Sequence, residues 1–137
     1  MNEQEIHKIC NELDIKFYTI NQDGSIDVLG NVSIVKYKLN DIPIKFNKVS
    51  GYFYCSGMNL TSLNNCPIEV GGWFNCSYNH LTSLESLPKN HKYELFMCYG
   101  NPIKSFDGYN CSLKTLFCDY KEKIIRKSKI KNIIDNI

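Results

Sequence analysis

The sequence predicts a repeat solenoid, a fold in which short coils of similar length stack around one continuous core. The stretch FNCSYNHLTSL at residues 74–84 nearly repeats FYCSGMNLTSL at residues 53–63, which begins 21 positions earlier. The same spacing of apolar residues continues in both directions along the chain. About four units of roughly 20 to 22 residues therefore follow one another, with a partial fifth.

Each unit begins with the alternation of a short β-strand. Phe74 and Cys76 are two positions apart, so they share one face of the strand, which we expect to point inward. Asn79 follows where the chain turns, and its amide can bond backbone groups of neighbouring coils. Leu81 and Leu84 then face inward from an irregular convex arm. The matching positions of the other units are Ile34, Leu39, Ile42, Phe53, Cys55, Leu60, Leu63, Phe96, Cys98, Asn101, Ile103, Phe106, Leu116 and Cys118, with Tyr37 and Met58 replacing Asn in the first two units.

Both ends of the chain differ from the repeats and are predicted to cap the solenoid, because a terminal coil otherwise leaves an apolar face in water. Residues 3–13 have the apolar spacing of an amphipathic helix. A hairpin follows, with Asp23 and Gly24 as its turn. At the far end, residues 121–137 predict a second helix. Its apolar stripe, expected to cover the last coil, comprises Ile130, Ile133, Ile134 and Ile137.

Composition predicts a single domain over residues 1–137, with the caps at 1–29 and 119–137 and the repeats at 30–118. No stretch has the roughly 18 apolar residues that a membrane span needs, so we expect no membrane partner. The opening MNEQEIHKIC has acids where a secretory signal has basic residues. The seven cysteines are an odd number without zinc-finger spacing. We therefore expect reduced thiols and a cytoplasmic location.

The outward residues of the strands are unusually apolar for a sheet face. Tyr, Trp, Met and Leu clustered on an exposed patch are typical of protein interfaces. The alternative is that these side chains only form cross-strand pairs that stabilise the sheet. The residues predicted to contact a partner are Tyr52, Tyr54, Trp73, Asn75, Leu95, Met97, Tyr99 and Phe117.

Catalysis and metal binding are not expected. The column of Cys55, Cys76, Cys98 and Cys118 could suggest a thiolate array, but the flanking Phe and Leu residues favour buried neutral thiols. The three histidines have no evident catalytic partner, and we expect each to be solvated. The sequence therefore predicts a protein without enzymatic activity, cofactor or metal.

The C-terminal helix suggests a second class of function. Residues 120–137 carry six basic and two acidic residues, whereas residues 1–29 carry two and six. Such a helix could contact nucleic-acid phosphates, although a solvated helix is the commoner case. The alternative nucleic-acid contacts are Lys123, Arg126, Lys127, Lys129 and Lys131.

The stretch CSYNHLTSLESLP fits the leucine-rich-repeat pattern, which extends over about residues 30–118. More narrowly, VGGWFNCSYNHLTSL, preceded by INQDGSIDVLGNVS, resembles short leucine-rich-repeat proteins of bacteriophages and other large DNA viruses. This resemblance implies a viral accessory protein that acts in the cytoplasm of a bacterial host.

These observations together predict a protein-recognition module that is monomeric when free. The resemblance further implies that it binds and inhibits a host protein, in particular a defence protein. That step is an analogy, because fold alone does not determine function.

Overall fold

The computed structural model describes residues 1–35 and 40–137 and confirms a β-solenoid of about four turns with parallel strands. Tyr37 and Leu39, two positions of the predicted repeat, lie outside the described residues. Within these described residues the strands form one eight-stranded sheet. The elements are α1 (Glu3–Glu12), β1 (Tyr18–Ile20), β2 (Ile26–Val28), β3 (Val32–Ser33), β4 (Phe46–Val49), β5 (Phe53–Tyr54), β6 (Glu69–Asn75), β7 (Lys92–Met97), β8 (Leu116–Phe117) and α2 (Lys121–Asp135).

The N-terminal helix and hairpin form as predicted. Asn2 and Glu5 make a reciprocal capping box at the start of α1, which satisfies two otherwise unpaired backbone N–H groups. Strands β1 and β2 pair antiparallel around a turn in which Gly24 has φ of 79°. Strand β2 then pairs in parallel with β4, so the hairpin continues the sheet of the solenoid.

The coils contribute two columns of short strands, where the sequence predicted one. The first column runs through β2, β4 and the start of β6 and β7, and its inward residues are Val28, Val49, Val70 and Tyr93. The second runs through β3, β5, the ends of β6 and β7, and β8. The arms are thus more regular than predicted. Tyr93 and Glu94, for example, lie inside β7.

The bend between the two strand columns is built from glycines. The N–H of Gly51 donates to the carbonyl of Gly30, and the N–H of Gly72 donates to that of Gly51, both at 2.9 Å. A Cβ on Gly71 would lie 2.2 Å from the carbonyl oxygen of Ser50. Successive coils therefore approach too closely here for a side chain.

The side chains that point inward from the second strand column are buried, as predicted. Phe74 is fully buried, and its ring centre lies 5.2 Å from that of Phe53 and 4.9 Å from that of Phe96. Cys55, Cys76 and Cys98 are also fully buried, in successive coils. These residues belong to one core that continues from α1 to the first turn of α2.

The predicted role of the Asn column is confirmed. Asn79 is buried, and its Oδ1 accepts hydrogen bonds from the N–H groups of Met58 and Leu60 at 2.9 and 3.0 Å. Its Nδ2 donates to the carbonyls of Cys55 and Cys76, both at 2.9 Å. The Asn79 side chain thus joins its own coil to the preceding one.

The C-terminal helix is present, but its predicted contact with the last coil is wrong. Only Ile124, in the first turn, is buried. Ile130, Ile133 and Ile134 are 51%, 63% and 63% exposed, and Ile137 is fully exposed. The isoleucine stripe of α2 therefore does not cover the solenoid.

Candidate interaction surface

The predicted contact residues form a largely apolar surface on the second strand column, which we call the strand face. Tyr52, Trp73 and Phe117 are 42%, 52% and 39% exposed. Residues of neighbouring strands lie opposite each other on this face, as Trp73 and Leu95 do. The other members of the strand face are half-buried, namely Tyr54, Leu95, Met97 and Tyr99. The strand face thus comprises Tyr52, Tyr54, Trp73, Leu95, Met97, Tyr99 and Phe117.

One end of the strand face contains an open cleft of about 480 Å³. Its walls are Tyr52, Tyr54 and Trp73. The two tyrosine rings meet edge to face, with their centres 6.0 Å apart. The glycines at 51, 71 and 72 form the floor, so the close packing of the coils also leaves space between the aromatic rings.

Two polar atoms beside this cleft are engaged within the protein. Oδ1 of Asn31 accepts a hydrogen bond from the N–H of Tyr52, and Oγ of Ser50 accepts one from the N–H of Gly30. A ligand would therefore meet mainly ring faces and glycine backbone. This favours an apolar or aromatic group over a sugar that needs several hydrogen bonds.

Asn75 does not belong to the exposed surface, in contrast to the sequence prediction. It is only 5% exposed. Its Oδ1 accepts hydrogen bonds from Oγ of Ser56 at 2.9 Å and from the N–H of Ser77 at 3.0 Å. Asn75 therefore supports the strand face from beneath and offers little area to a partner.

Two exposed tyrosines that the sequence analysis missed follow the ends of β6 and β8 by three residues. Tyr78 and Tyr120 are 70% and 78% exposed, and both have φ of 56°. Gly57 and Gly100 hold the equivalent repeat positions, with φ of 67° and 65°. Left-handed backbone is rare for a bulky side chain, so these tyrosines carry strain that glycine would avoid. The signal in the sequence was a repeat position at which tyrosine alternates with glycine, as Gly57, Tyr78, Gly100 and Tyr120.

The hairpin has a separate apolar patch that sequence reasoning also missed. Phe17 and Leu29 are 69% and 73% exposed and line a shallow cleft of about 490 Å³. They lie beside β1, the edge strand of the sheet. Because they are exposed apolar residues outside the strand face, they offer a matched control for surface substitutions.

The histidines differ in their surroundings, and the prediction for His91 is wrong. His91 is 5% exposed and stacks on Tyr93 with ring centres 4.8 Å apart. Its Nδ1–H donates to the carbonyl of Pro88, and its Nε2 accepts from the N–H of Asn110. Both ring nitrogens of His91 therefore form hydrogen bonds within the protein. His7 and His80 are exposed, as expected.

Most of the cysteine column, together with Cys66, lies in surroundings that disfavour thiolates, whereas a hydrogen bond with Cys98 lowers the pKa of Cys118. Burial raises the pKa of Cys55 and Cys76 well above the ordinary value of 9.0 and that of Cys66 to about 12. Metal binding needs the deprotonated form. Among residues 1–35 and 40–137, no group of three or more His, Cys, Asp or Glu side chains is placed to hold a metal.

The raised thiol pKa predicts lower stability in alkali. The folded state holds Cys66 protonated, so its contribution is fully present below pH 9.0 and is lost as the pH rises through about 12. We expect the free energy of unfolding in urea to fall across this range. Cys66→Ala should lower stability at neutral pH but weaken the dependence on alkaline pH. An unchanged pH dependence in that variant would contradict this assignment.

The basic residues of α2 are all on the surface. Lys123, Arg126, Lys127, Lys129 and Lys131 are exposed, so they remain available to an anionic partner. Within the part of the chain that the structure describes, no helix has the length and apolarity to cross a membrane.

The chain matches no protein-family model, no curated protein and no solved structure.

Proposed function

We propose that this protein is a recognition module without catalytic activity, which binds a partner protein through the strand face. The observation that carries the proposal is the exposure of Tyr52, Trp73 and Phe117 on one continuous sheet surface. Aromatic residues dominate binding energy at protein interfaces. The glycine-floored cleft gives such a partner a place to insert an apolar side chain.

The strained tyrosines support a binding role over a purely structural one. A ring that only stabilised the sheet would be expected to bury its area, whereas Tyr78 and Tyr120 remain mostly exposed. Their left-handed backbone costs on the order of 1–3 kcal/mol each. Strain of this kind is characteristic of functional surfaces, where the side chain serves a contact outside the fold.

The finer classification of the fold is part of this proposal. We assign the coils to the leucine-rich-repeat type because of the inward Leu81 and Leu84 and the bridging Asn79. We also assign a capping role to α1 and the hairpin, since Ile6 and Cys10 pack into the common core. At the other end, Ile124 alone gives α2 a small part in covering the last coil.

The resemblance to viral leucine-rich-repeat proteins makes a bacterial host protein the first class of partner to test. A defence protein whose working surface is covered by the strand face would be inhibited without any chemical step. An acidic partner would also be drawn to the basic α2, which would raise the association rate.

Affinity capture from bacterial lysate tests the proposal, with four versions of the chain compared side by side. The binding variant is Trp73→Ser/Tyr54→Ser, which removes two walls of the cleft. Tyr78→Gly is the second, because it removes a ring while relieving strained backbone. Phe17→Ser/Leu29→Ser is the control, since it removes the same kind of exposed apolar area elsewhere. Mass spectrometry identifies the retained proteins.

We expect one host protein to be retained by the wild type and the control, with at least about tenfold weaker retention by the double variant. Tyr78→Gly should weaken retention while leaving the free energy of unfolding equal or higher. Equal retention by all four versions would show that the strand face is not the binding site. Unfolding of the double variant would instead support the view that these rings serve the sheet.

A further inference from the structure

The outer face of α2 is an apolar stripe with no contact to the solenoid. The helix packs through Ile124 in its first turn. At about 100° per residue, the centre of the stripe lies roughly 130° around the helix from Ile124. Every residue from Arg126 to the end of α2 is exposed, so the solenoid covers no part of the stripe. The stripe comprises Ile130, Ile133 and Ile134, and Ile137 follows just past the end of the helix.

Basic residues flank the stripe on both sides. On an ideal helix, Lys127 adjoins one edge and Lys129 the other, with Lys131 beside Lys127. The opposite side of the same turns holds Ser128, Asn132 and Asp135. The last two turns of α2 are therefore amphipathic, and their apolar face is uncovered, whereas Arg126 interrupts the stripe one turn earlier.

The charges decide between possible occupants of this face. A second copy of the chain would bring the flanking lysines together, and like charges across a helix pair repel. A nucleic acid would satisfy the lysines but leave the isoleucines in water. An anionic lipid surface satisfies both, because apolar side chains enter the acyl boundary while lysines reach the headgroups.

We propose that α2 binds the surface of a membrane containing anionic lipids and lies in its interface. The helix does not span the bilayer, in agreement with its composition. Residues 120–137 carry six basic and two acidic residues, which supplies the long-range attraction. The sequence analysis expected no membrane partner because no apolar stretch is long enough to span a bilayer. That criterion does not apply to a helix that lies in the interface, and the exposed isoleucines of α2 meet the requirement for such binding.

Flotation of the full chain with lipid vesicles tests this proposal. Phosphatidylcholine vesicles are compared with vesicles that also contain phosphatidylglycerol. The apolar variant is Ile133→Gln/Ile134→Gln and the charge variant is Lys127→Gln/Lys129→Gln/Lys131→Gln, since glutamine preserves helix propensity. Phe17→Ser/Leu29→Ser again serves as the control. Circular dichroism verifies that each variant keeps its helices.

We expect the wild type and the control to float only with the anionic vesicles. Both α2 variants should bind these vesicles about tenfold more weakly or worse. The proposal is wrong if the wild type fails to float at low salt, or if the Ile133→Gln/Ile134→Gln variant floats as the wild type does. Retention on DNA or RNA columns without flotation would assign the helix to nucleic acid instead. The Trp73→Ser/Tyr54→Ser variant should float normally, which separates this proposal from the function of the strand face.

Discussion

Asn79→Ala is expected to lower the free energy of unfolding by about 3–5 kcal/mol, because several buried backbone groups would lose their partners at once. The Oδ1 of Asn79 accepts from two N–H groups of the preceding coil. Its Nδ2 donates to the carbonyls of Cys55 and Cys76. Asn79 is 3% exposed, so water cannot readily replace these bonds. Urea titration followed by tryptophan fluorescence measures the change.

Two further variants make the Asn79 result specific. Asn90→Ala removes the same side chain from an exposed turn and should change the free energy of unfolding by about 0.5 kcal/mol or less. Asn79→Asp keeps an acceptor but loses both donors and buries a carboxyl group, so it should also destabilise strongly. A loss for Asn79→Ala no larger than that for Asn90→Ala would mean that the amide does not join the coils.

Phe74→Ala should cost a similar amount, about 3–5 kcal/mol, since it opens a cavity in a central coil. The ring of Phe74 lies 4.9 Å from those of Tyr93 and Phe96 and 5.2 Å from that of Phe53. In a solenoid each coil is stabilised mainly by its two neighbours. One missing ring therefore weakens both interfaces of its coil. The change is read from the urea midpoint at constant slope.

Phe74→Leu provides the comparison for the ring. Leucine keeps the column apolar and fills part of the cavity, so we expect it to lose less stability than alanine. A loss of under about 1 kcal/mol for Phe74→Ala would contradict the packed phenylalanine column. A loss for Phe74→Leu equal to that for alanine would show that ring stacking, rather than volume, stabilises the coils.

The inward columns could be predicted from the sequence because the repeat itself aligns them. Residues 21 positions apart recur as Phe53 with Phe74 and Cys55 with Cys76, and the alternation within a strand fixes which face they share. The bridging role of Asn79 followed from its place at the turn. All of these are buried in the structure.

The first column of strands could not be foreseen so easily. Only two to four residues of each coil take part, and a run of that length does not separate a strand from an extended loop. The spacing also changes, since Val70 pairs with Tyr93 across 23 positions whereas Phe74 pairs with Phe96 across 22. The pairing distance changes by one residue at Gly71 and Gly72, where the strand register shifts.

The sequence predictions for surface residues were wrong or incomplete for a different reason. Isoleucine spacing identified an amphipathic stripe on α2 but could not show which side of the helix meets the solenoid, which Ile124 decides. Strand alternation placed Asn75 outward, yet a short polar side chain between Ser56 and Ser77 is covered by its neighbours. The left-handed backbone of Tyr78 is set by the path of the whole coil, so the sequence around Tyr78 does not reveal it.

The most direct test of the account compares adjacent residues of one strand. Trp73 and Phe74 are consecutive in β6, but Trp73 is 52% exposed and Phe74 is fully buried. Urea unfolding should show that Trp73→Ala changes the free energy of unfolding by about 1 kcal/mol or less, against about 3–5 kcal/mol for Phe74→Ala. Losses of equal size would mean that both faces of the strand serve the fold, which would contradict a strand face that is free for a partner.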